Sequence, residues 1–153
     1  MHRPEKIRIN GLFLMLCMLA SLGTATTVMA DYTNKAITDA NDPAYWVDRG
    51  GLYATYGSYA AAIKAYDTAL KLDANNSKAY FDRGLSYAEL GDYTSALADI
   101  DKAISLTSDK ASYFYGRGRV MLLSGKKDPA MADFRKAADL GDNDASAYLN
   151  EMR

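Results

Sequence analysis

The sequence predicts an all-α protein built from one pair of helices that occurs three times and is stacked side by side. The first observation is a sequence repeat: the segment 77–110 has the same residue pattern as the segments 43–76 and 111–144 on either side of it. The second is that Gly57, Gly91 and Gly125 stand at this spacing, where a helix is expected to end. Such a period is typical of stacked repeats, each too small to bury its apolar face alone.

The repeated positions carry small residues alternating with large apolar ones. In the three units they are Trp46, Gly50, Tyr53, Ala62, Tyr66 and Ala69; then Tyr80, Gly84, Tyr87, Ala96, Ile100 and Ala103; and then Phe114, Gly118, Ala130, Phe134 and Ala137. Glycine and alanine allow two helices to approach closely, and the larger side chains fill the gaps between pairs. The pattern therefore favours closely packed helix pairs.

These residues resemble those of the tetratricopeptide repeat family over residues 43–144. The resemblance implies three antiparallel helix pairs that stack into a right-handed superhelix, with repeats at 43–76, 77–110 and 111–144. It also implies a C-terminal capping helix at 145–153, since stacked repeats need a terminal cover. The sequence departs from the family where a proline usually closes each unit, because Ala74, Ser108 and Asp142 stand there. We therefore expect less rigid turns between units.

Local signals divide each unit into two helices. Asp42 before Pro43 is a cap followed by a proline at the first helical position, and Ser58 is expected to cap the next helix. In the third unit, Asp128 and Pro129 predict a second helix that starts late relative to the other units. The expected helices span about 43–56, 59–72, 77–90, 93–106, 111–124, 129–141 and 144–153.

The first thirty residues read as a secretory signal peptide, followed by a polar tether at 31–42. A positively charged start precedes an apolar run from Leu12 to Leu22, and small residues lead to Ala30. We expect cleavage after Ala30, with Ala25 as a second candidate site, and export to the periplasm or secreted space. The alternative is an uncleaved helix that anchors the chain, although the apolar run is shorter than the roughly 20 residues that span a bilayer.

Cleavage of the signal peptide would leave few side chains that could act in catalysis or bind a metal. The only histidine and the only cysteine, His2 and Cys17, lie in the predicted signal peptide. The remaining residues exclude disulfides, thiolate chemistry, histidine acid-base catalysis and zinc or copper sites with sulfur or imidazole ligands. The net charge of the full chain is -1, which gives no indication of nucleic acid or an anionic membrane as a partner. We expect no cofactor and no membrane contact after cleavage.

An arginine occupies the same place in each unit, where the family commonly has leucine. These arginines are Arg49, Arg83 and Arg117. They would form a ladder that grips carboxylates or phosphates, or they would form ion pairs within the fold. The second interpretation is favoured because Asp99 follows Arg83, and Asp133 follows Arg117, at one common spacing that places each acid on the facing helix of the same unit. The first unit has no acid at that place, and Asp67 is the expected partner of its arginine.

The family resemblance implies a concave groove lined by the first helix of each pair. The predicted groove residues are Val47, Asp48, Lys78, Phe81, Asp82, Leu85, Glu89, Tyr115, Arg119 and Leu122. They combine apolar side chains with a charged rim, which is the usual composition of a peptide-binding surface. The alternative is that flanking segments of the chain cover this strip.

The sequence therefore predicts a non-enzymatic module that binds a peptide or a helix of a partner protein. Relatives that hold acidic chaperone tails carry lysine and asparagine in the groove, but the matching places hold Val47, Gly51, Asp82 and Leu85. We expect an apolar and partly basic ligand instead. The alternatives are an assembly subunit, such as a homo-oligomer, and a hydrolase that uses the carboxylates of Asp48 and Asp82.

Overall fold

The structure, a computed structural model, describes residues 39–152. The helices between 43 and 151 are α1 (Pro43–Thr55), α2 (Tyr59–Leu72), α3 (Ser77–Glu89), α4 (Tyr93–Leu106), α5 (Ala111–Leu123), α6 (Lys127–Asp139) and α7 (Asn143–Glu151). The predicted all-α class is confirmed. The predicted signal peptide at 1–30, both of its cleavage sites and residues 31–38 of the predicted tether lie outside the described residues. In the part of the chain that is described, no helix is long and apolar enough to cross a membrane.

The helices pack as consecutive pairs. The most extensive contacts join α1 to α2, α3 to α4 and α5 to α6. Contacts of α2 with α3 and of α4 with α5 then join each pair to the next one. The first helices of neighbouring pairs also touch, α1 with α3 and α3 with α5. This order is the predicted stack of helix pairs, and it brings the odd-numbered helices side by side.

Side-chain caps begin several of these helices. Asp42 Oδ1 accepts a hydrogen bond of 2.8 Å from the backbone N–H of Ala44, as expected before Pro43. Asp92 Oδ1 accepts one of 3.1 Å from the backbone N–H of Ser95 at the start of α4. Ser58 occupies the cap position before α2, but its side chain makes no capping hydrogen bond, so that detail of the prediction is wrong.

Helix α6 begins earlier than the sequence signals indicate. It starts at Lys127, which keeps the register of Tyr59 and Tyr93 at the starts of α2 and α4. Pro129 is accommodated in the first turn, where a backbone N–H has no partner inside the helix and its loss costs little. The predicted late start is therefore wrong, because packing against α5 maintains the repeat in spite of a local cap signal.

The turn inside each pair depends on a glycine. Gly57, Gly91 and Gly125 have φ angles of 71°, 82° and 81°, a left-handed conformation that other residues adopt only with strain. In the second turn, Asp92 N–H donates to Tyr87 O at 3.0 Å and Gly91 N–H to Ala88 O at 3.0 Å. These bonds close the end of α3 and turn the chain directly into α4.

Two further glycines allow the helices of a pair to touch. A Cβ atom at Gly84 would lie 2.8 Å from Ile100 Cγ1 and 2.9 Å from the backbone oxygen of Ala96. A Cβ atom at Gly118 would lie 2.8 Å from the ring of Phe134. The close approach that the sequence predicts at these positions is therefore present, and the core of each pair lies along these contacts.

Helix α7 covers the far end of the stack. Its Ala145 is fully buried in the core cluster that contains Phe114 and Phe134. The ring of Tyr148 lies 4.7 Å from that of Phe134, measured between centroids. The helix therefore contributes to the core of the last pair, as a terminal cover requires.

Candidate functional site

The candidate site is the groove formed by the odd-numbered helices α1, α3 and α5. Phe81 lies at its centre, where its ring stacks on that of Tyr113 at a centroid distance of 4.5 Å. Its edge also fills the space above Gly116, at which a Cβ atom would lie 2.6 Å away. Phe81 is half-buried by these contacts. It therefore joins α3 to α5, and it presents only part of its surface to the groove.

On one side of Phe81, a cavity of about 270 Å³ opens between α1 and α3. We call it the α1/α3 cavity. Its lining residues are Gly51, Ala54, Tyr59, Tyr66, Asp82, Leu85, Ser86 and Glu89. Gly51 leaves it open, because the nearest atom to a Cβ placed there would be Tyr66 Oη at 4.0 Å. Burial and then the charge of Asp82 raise the pKa of the Tyr66 hydroxyl, so this wall stays neutral at physiological pH.

On the other side of Phe81, a second cavity of about 240 Å³ lies between α5 and α7. We call it the α5/α7 cavity. Its lining residues are Tyr115, Arg119, Leu122, Leu123, Phe134 and Tyr148. The ring of Tyr115 lies 5.6 Å from that of Phe134, centroid to centroid, so the floor of this cavity is aromatic. Arg119 is exposed at its edge.

One predicted groove residue does not reach the groove. Val47 is only 4% exposed and belongs to the core cluster with Tyr66, Ala69 and Ala79. It occupies the same place in its helix as Phe81 does one repeat later, and Phe81 packs on the next odd-numbered helix. This place faces a neighbouring helix pair, and the short valine side chain is fully covered there. The prediction that Val47 contacts a ligand is wrong for this reason.

The charged residues predicted to line the groove lie at different places on the surface. Asp82 accepts a hydrogen bond from Lys78 Nζ at 2.5 Å, within α3. Glu89 is exposed at the rim of the α1/α3 cavity. Asp48 lies apart from them, beside a separate surface cavity on α1. Asp48 and Asp82 therefore line different cavities, and neither cavity brings the two carboxylates together.

The arginine ladder forms ion pairs within the fold. The guanidinium of Arg83 binds both carboxylate oxygens of Asp99 at 2.7 Å, and its third nitrogen donates to Asp67 at 2.6 Å. The hydrogen bond to Asp99 raises the pKa of Arg83, against the lowering effect of burial. Arg117 repeats this arrangement with Asp133 and Asp101. Both predicted ion pairs within a unit are confirmed, and each arginine also bridges to the preceding pair.

The first arginine behaves differently. Arg49 donates to the hydroxyl of Tyr45 at 2.9 Å and to that of Tyr53 at 3.2 Å, and both bonds raise its pKa. Its guanidinium lies over the rings of the same tyrosines. The predicted pairing of Arg49 with Asp67 is wrong, because Asp67 faces the next pair and binds Arg83.

Sequence reasoning missed several residues of the site. Tyr113 was not expected in the core, yet it is 4% exposed beneath Phe81, with its hydroxyl 3.3 Å from Ser77 Oγ. Tyr66, which the repeat pattern predicts to fill the space between helices, also forms a wall of the α1/α3 cavity together with Tyr59. Tyr148 was expected over the last repeat but not in a cavity; the signal for it is that it continues the repeat spacing of Trp46, Tyr80 and Phe114.

The comparisons with known proteins agree with this architecture. A family model described as tetratricopeptide repeat matches residues 48–113 and 81–145. No curated protein sequence matches the chain.

Solved tetratricopeptide repeat domains have the same fold. The first such domain of Spaghetti (RPAP3), bound to the HSP90 peptide SRMEEVD, is 21% identical with a TM-score of 0.68, over 73% of this chain and 90% of that chain. The Arabidopsis OM64 domain is 22% identical with a TM-score of 0.69, over 75% and 97%. The second domain of human RPAP3, in complex with the HSP70 peptide SGPTIEEVD, is 27% identical with a TM-score of 0.64, over 71% and 96%. Because the family model covers more than half of the chain, over residues 48–113 and 81–145, the chain belongs to the tetratricopeptide repeat family.

Proposed function

We propose that this protein is a non-enzymatic interaction module that binds a peptide or a helix of a partner protein in the groove of α1, α3 and α5. The observation that carries the proposal is the pair of cavities on either side of Phe81, both with apolar walls and charged edges. A ligand with two apolar side chains would place one in each cavity. Such pockets within a polar rim are typical of surfaces that bind protein segments.

The charges of the groove indicate the chemistry of the ligand. Asp82 and Glu89 border the α1/α3 cavity, whereas Arg119 borders the α5/α7 cavity. A segment with a basic residue near the first cavity and an acidic or neutral one near the second would be complementary. The Spaghetti (RPAP3) domains bind HSP90 and HSP70 peptides with acidic ends. We propose a different ligand class for this chain, an apolar and partly basic segment, because carboxylates of the ligand would meet Asp82 and Glu89.

We further propose that the protein acts outside the cytoplasm, in the periplasm or secreted space. The charge and apolar pattern of residues 1–30 supports this compartment. Mass spectrometry of the protein recovered from cell fractions tests it. A mature chain that begins at Asp31, or at Thr26 for the second site, is expected in the exported fraction. An intact N-terminus in the cytoplasmic fraction would contradict the proposal.

The groove is tested by selecting random dodecapeptides displayed on phage against the purified full chain. We expect the selected peptides to combine apolar side chains with lysine or arginine. Gly51→Leu then extends a side chain into the α1/α3 cavity, where its Cβ atom would lie no closer than 4.0 Å to Tyr66 Oη. We expect this variant to bind the selected peptides at least tenfold more weakly, as measured by fluorescence anisotropy. Lys102→Glu, on the exposed side of α4, is the matched control and is expected to leave affinity unchanged.

Two results would contradict the groove as the ligand site. One is equal affinity of Gly51→Leu and the unchanged protein for every selected peptide. The other is a stable dimer in sedimentation velocity whose interface covers the cavities and excludes the peptides, which would favour the assembly-subunit alternative. Glu89→Lys sharpens the test, because it is expected to shift the selected peptides from basic towards acidic residues.

A further inference from the structure

The outer face of α1 has the composition of an internal junction but lies at the end of the described stack. We define this front face as Tyr45, Asp48, Arg49, Leu52 and Tyr53, which line a surface cavity of about 540 Å³. Leu52 is 56% exposed there and Tyr45 is 36% exposed. Terminal faces of repeat stacks are expected to be polar. The front face departs from this expectation, because aromatic and aliphatic side chains are exposed on it.

The two internal junctions show what covers the equivalent positions. In the second and third units the place of Leu52 is taken by Ser86 and Val120, each only 2% exposed. The place of Tyr45 is taken by Ala79 and Tyr113, which are also buried. In both cases the preceding helix pair provides the cover: α2 contacts α3 at the first junction, and at the second Tyr113 lies beneath Phe81 of α3 while Val120 clusters with Ile100 of α4. The front face thus repeats a surface that elsewhere receives a helix.

The covering helix has a recognisable pattern at both junctions. Helix α2 supplies Asp67 to Arg83, and at the third position after this aspartate Leu70 packs in the core cluster that includes Ala79 of α3. Helix α4 supplies Asp101 to Arg117, and at the third position after it Ile104 packs against the cluster that includes Phe114. Each covering helix therefore carries an aspartate followed by a leucine or isoleucine at the third position after it.

The charge of the front face fits the same pattern. Arg49 holds the place that Arg83 holds one repeat later, but within residues 39–152 no carboxylate forms an ion pair with it. Its nitrogens contact neutral tyrosine hydroxyls, and the side chain is exposed. An incoming carboxylate would gain a charge-assisted hydrogen bond, which is roughly twice as strong as a neutral one.

From these observations we infer that the front face is a docking site for an amphipathic helix of another protein, one that carries Asp-x-x-Leu or Asp-x-x-Ile. The aspartate binds Arg49, and the aliphatic residue packs against Tyr45 and Leu52. This surface is separate from the groove, and the two differ in the ligand they bind. The groove binds an apolar and basic segment, whereas the front face binds an acidic helix.

A second copy of the chain is the less suitable occupant. In α6 the place equivalent to Asp67 and Asp101 is held by Arg135, which is exposed. End-to-end stacking in the register of the internal junctions would bring Arg135 towards Arg49, and like charges disfavour such an interface. Helix α7 also covers the last pair at that end.

The test uses a peptide with the sequence of α4, residues 93–106, as the probe for the purified full chain. Short helices are marginal in water, so the peptide carries Ala98→Glu and is locked by a lactam between that carboxylate and the amine of Lys102, with loss of water; both positions are exposed in α4. We expect saturable binding by fluorescence anisotropy. Arg49→Glu is expected to weaken it at least tenfold, and a peptide with Asp101→Arg is expected to recover at least half of that loss on the Arg49→Glu chain. Gly51→Leu, which fills the groove cavity, serves as the control and is expected to leave this binding unchanged.

A photo-crosslinker at position 52 identifies the occupant of the face. Incorporated in place of Leu52 in the full chain, p-benzoylphenylalanine is expected to crosslink to the added peptide, with the exposed position of Leu123 as a control that does not. Crosslinks to residues 1–38 of the same chain, or to a second copy, in preference to the peptide would overturn the proposal. So would an affinity that Arg49→Glu leaves unchanged while circular dichroism shows the variant to be folded. Neither result bears on the dodecapeptides that test the groove.

Discussion

Arg83 and Arg49 occupy the same place in consecutive helix pairs, and the difference between them shows what a neighbouring pair contributes. Arg83 is enclosed between two carboxylates, one from its own pair and one from the pair before it. Arg49 lies on the front face and contacts two tyrosine hydroxyls. The same residue type is thus a structural bridge inside the stack and an exposed cation on the front face. Substitutions at an internal junction and on the front face should therefore differ in their effects.

The largest expected effect is the loss of a buried carboxylate at an internal junction. Asp133 is 6% exposed and binds Arg117 through both of its oxygens. Asp133→Ala would leave a largely enclosed guanidinium without its main partner, so we expect a loss of about 3 kcal/mol in the free energy of unfolding by urea. Arg49→Ala on the exposed front face is the matched control, with an expected loss below about 1 kcal/mol. Equal losses would remove the proposed distinction between the two places.

The second effect concerns the close approach of helices. Gly84→Ala would place a methyl group against the backbone oxygen of Ala96, which cannot move aside, and we expect a loss of about 2 kcal/mol. At Gly50 the three atoms nearest to the added methyl group all belong to the ring of Tyr66, the closest of them nearer than any atom at Gly84; because a side chain can shift where backbone cannot, a smaller loss of about 1 kcal/mol is expected. Gly51→Ala is the control, because the nearest atom is 4.0 Å away and the change favours the helix. A larger loss for Gly50→Ala than for Gly84→Ala would contradict this order.

The third effect is a dependence on alkaline pH. Burial raises the pKa of Tyr66 in the folded protein, whereas the unfolded chain ionises near the ordinary tyrosine value of about 10. Stability from this group is therefore fully present below about pH 10 and decreases as the pH rises further, by at most about 1.4 kcal/mol per unit. Tyr66→Phe is expected to reduce this decrease in urea unfolding at pH 9 to 11. Tyr56→Phe, at an exposed site, is expected to leave the slope as it is.

The smallest effect is expected at the bridges between pairs. Asp67 and Asp101 have side chains that are 39% and 57% exposed, so water and salt screen their ion pairs. We expect Asp67→Asn to lower the free energy of unfolding by about 0.5 kcal/mol, and the effect to vanish in high salt. A loss as large as that of Asp133→Ala would mean that the bridge, and not the pairing within a unit, controls the junction.

The repeat itself could be predicted from the sequence because its causes are local. Asp42 caps the first helix through a hydrogen bond to Ala44, and Gly91 ends the third by adopting a positive φ angle. Both depend only on residues close in sequence. The pairing of Arg83 with Asp99 could also be predicted from the sequence, since both lie in one unit at a spacing set by two helices and a short turn. The period of small and aromatic residues then indicated the stack and a groove along its first helices.

The contacts between repeat units were decided only by the tertiary structure. The sequence indicated Val47 as groove-lining and Asp67 as the partner of Arg49, but the neighbouring pair buries the first and binds the second through Arg83. The two cavities likewise depend on which side chains of α2, α6 and α7 reach the groove. By itself the sequence determined the helices, their pairing within a unit and the arginine at each repeat, because these follow from local hydrogen bonding and spacing. Only the packed stack decided which arginine is enclosed and which is exposed, because that depends on what lies next to each pair in space.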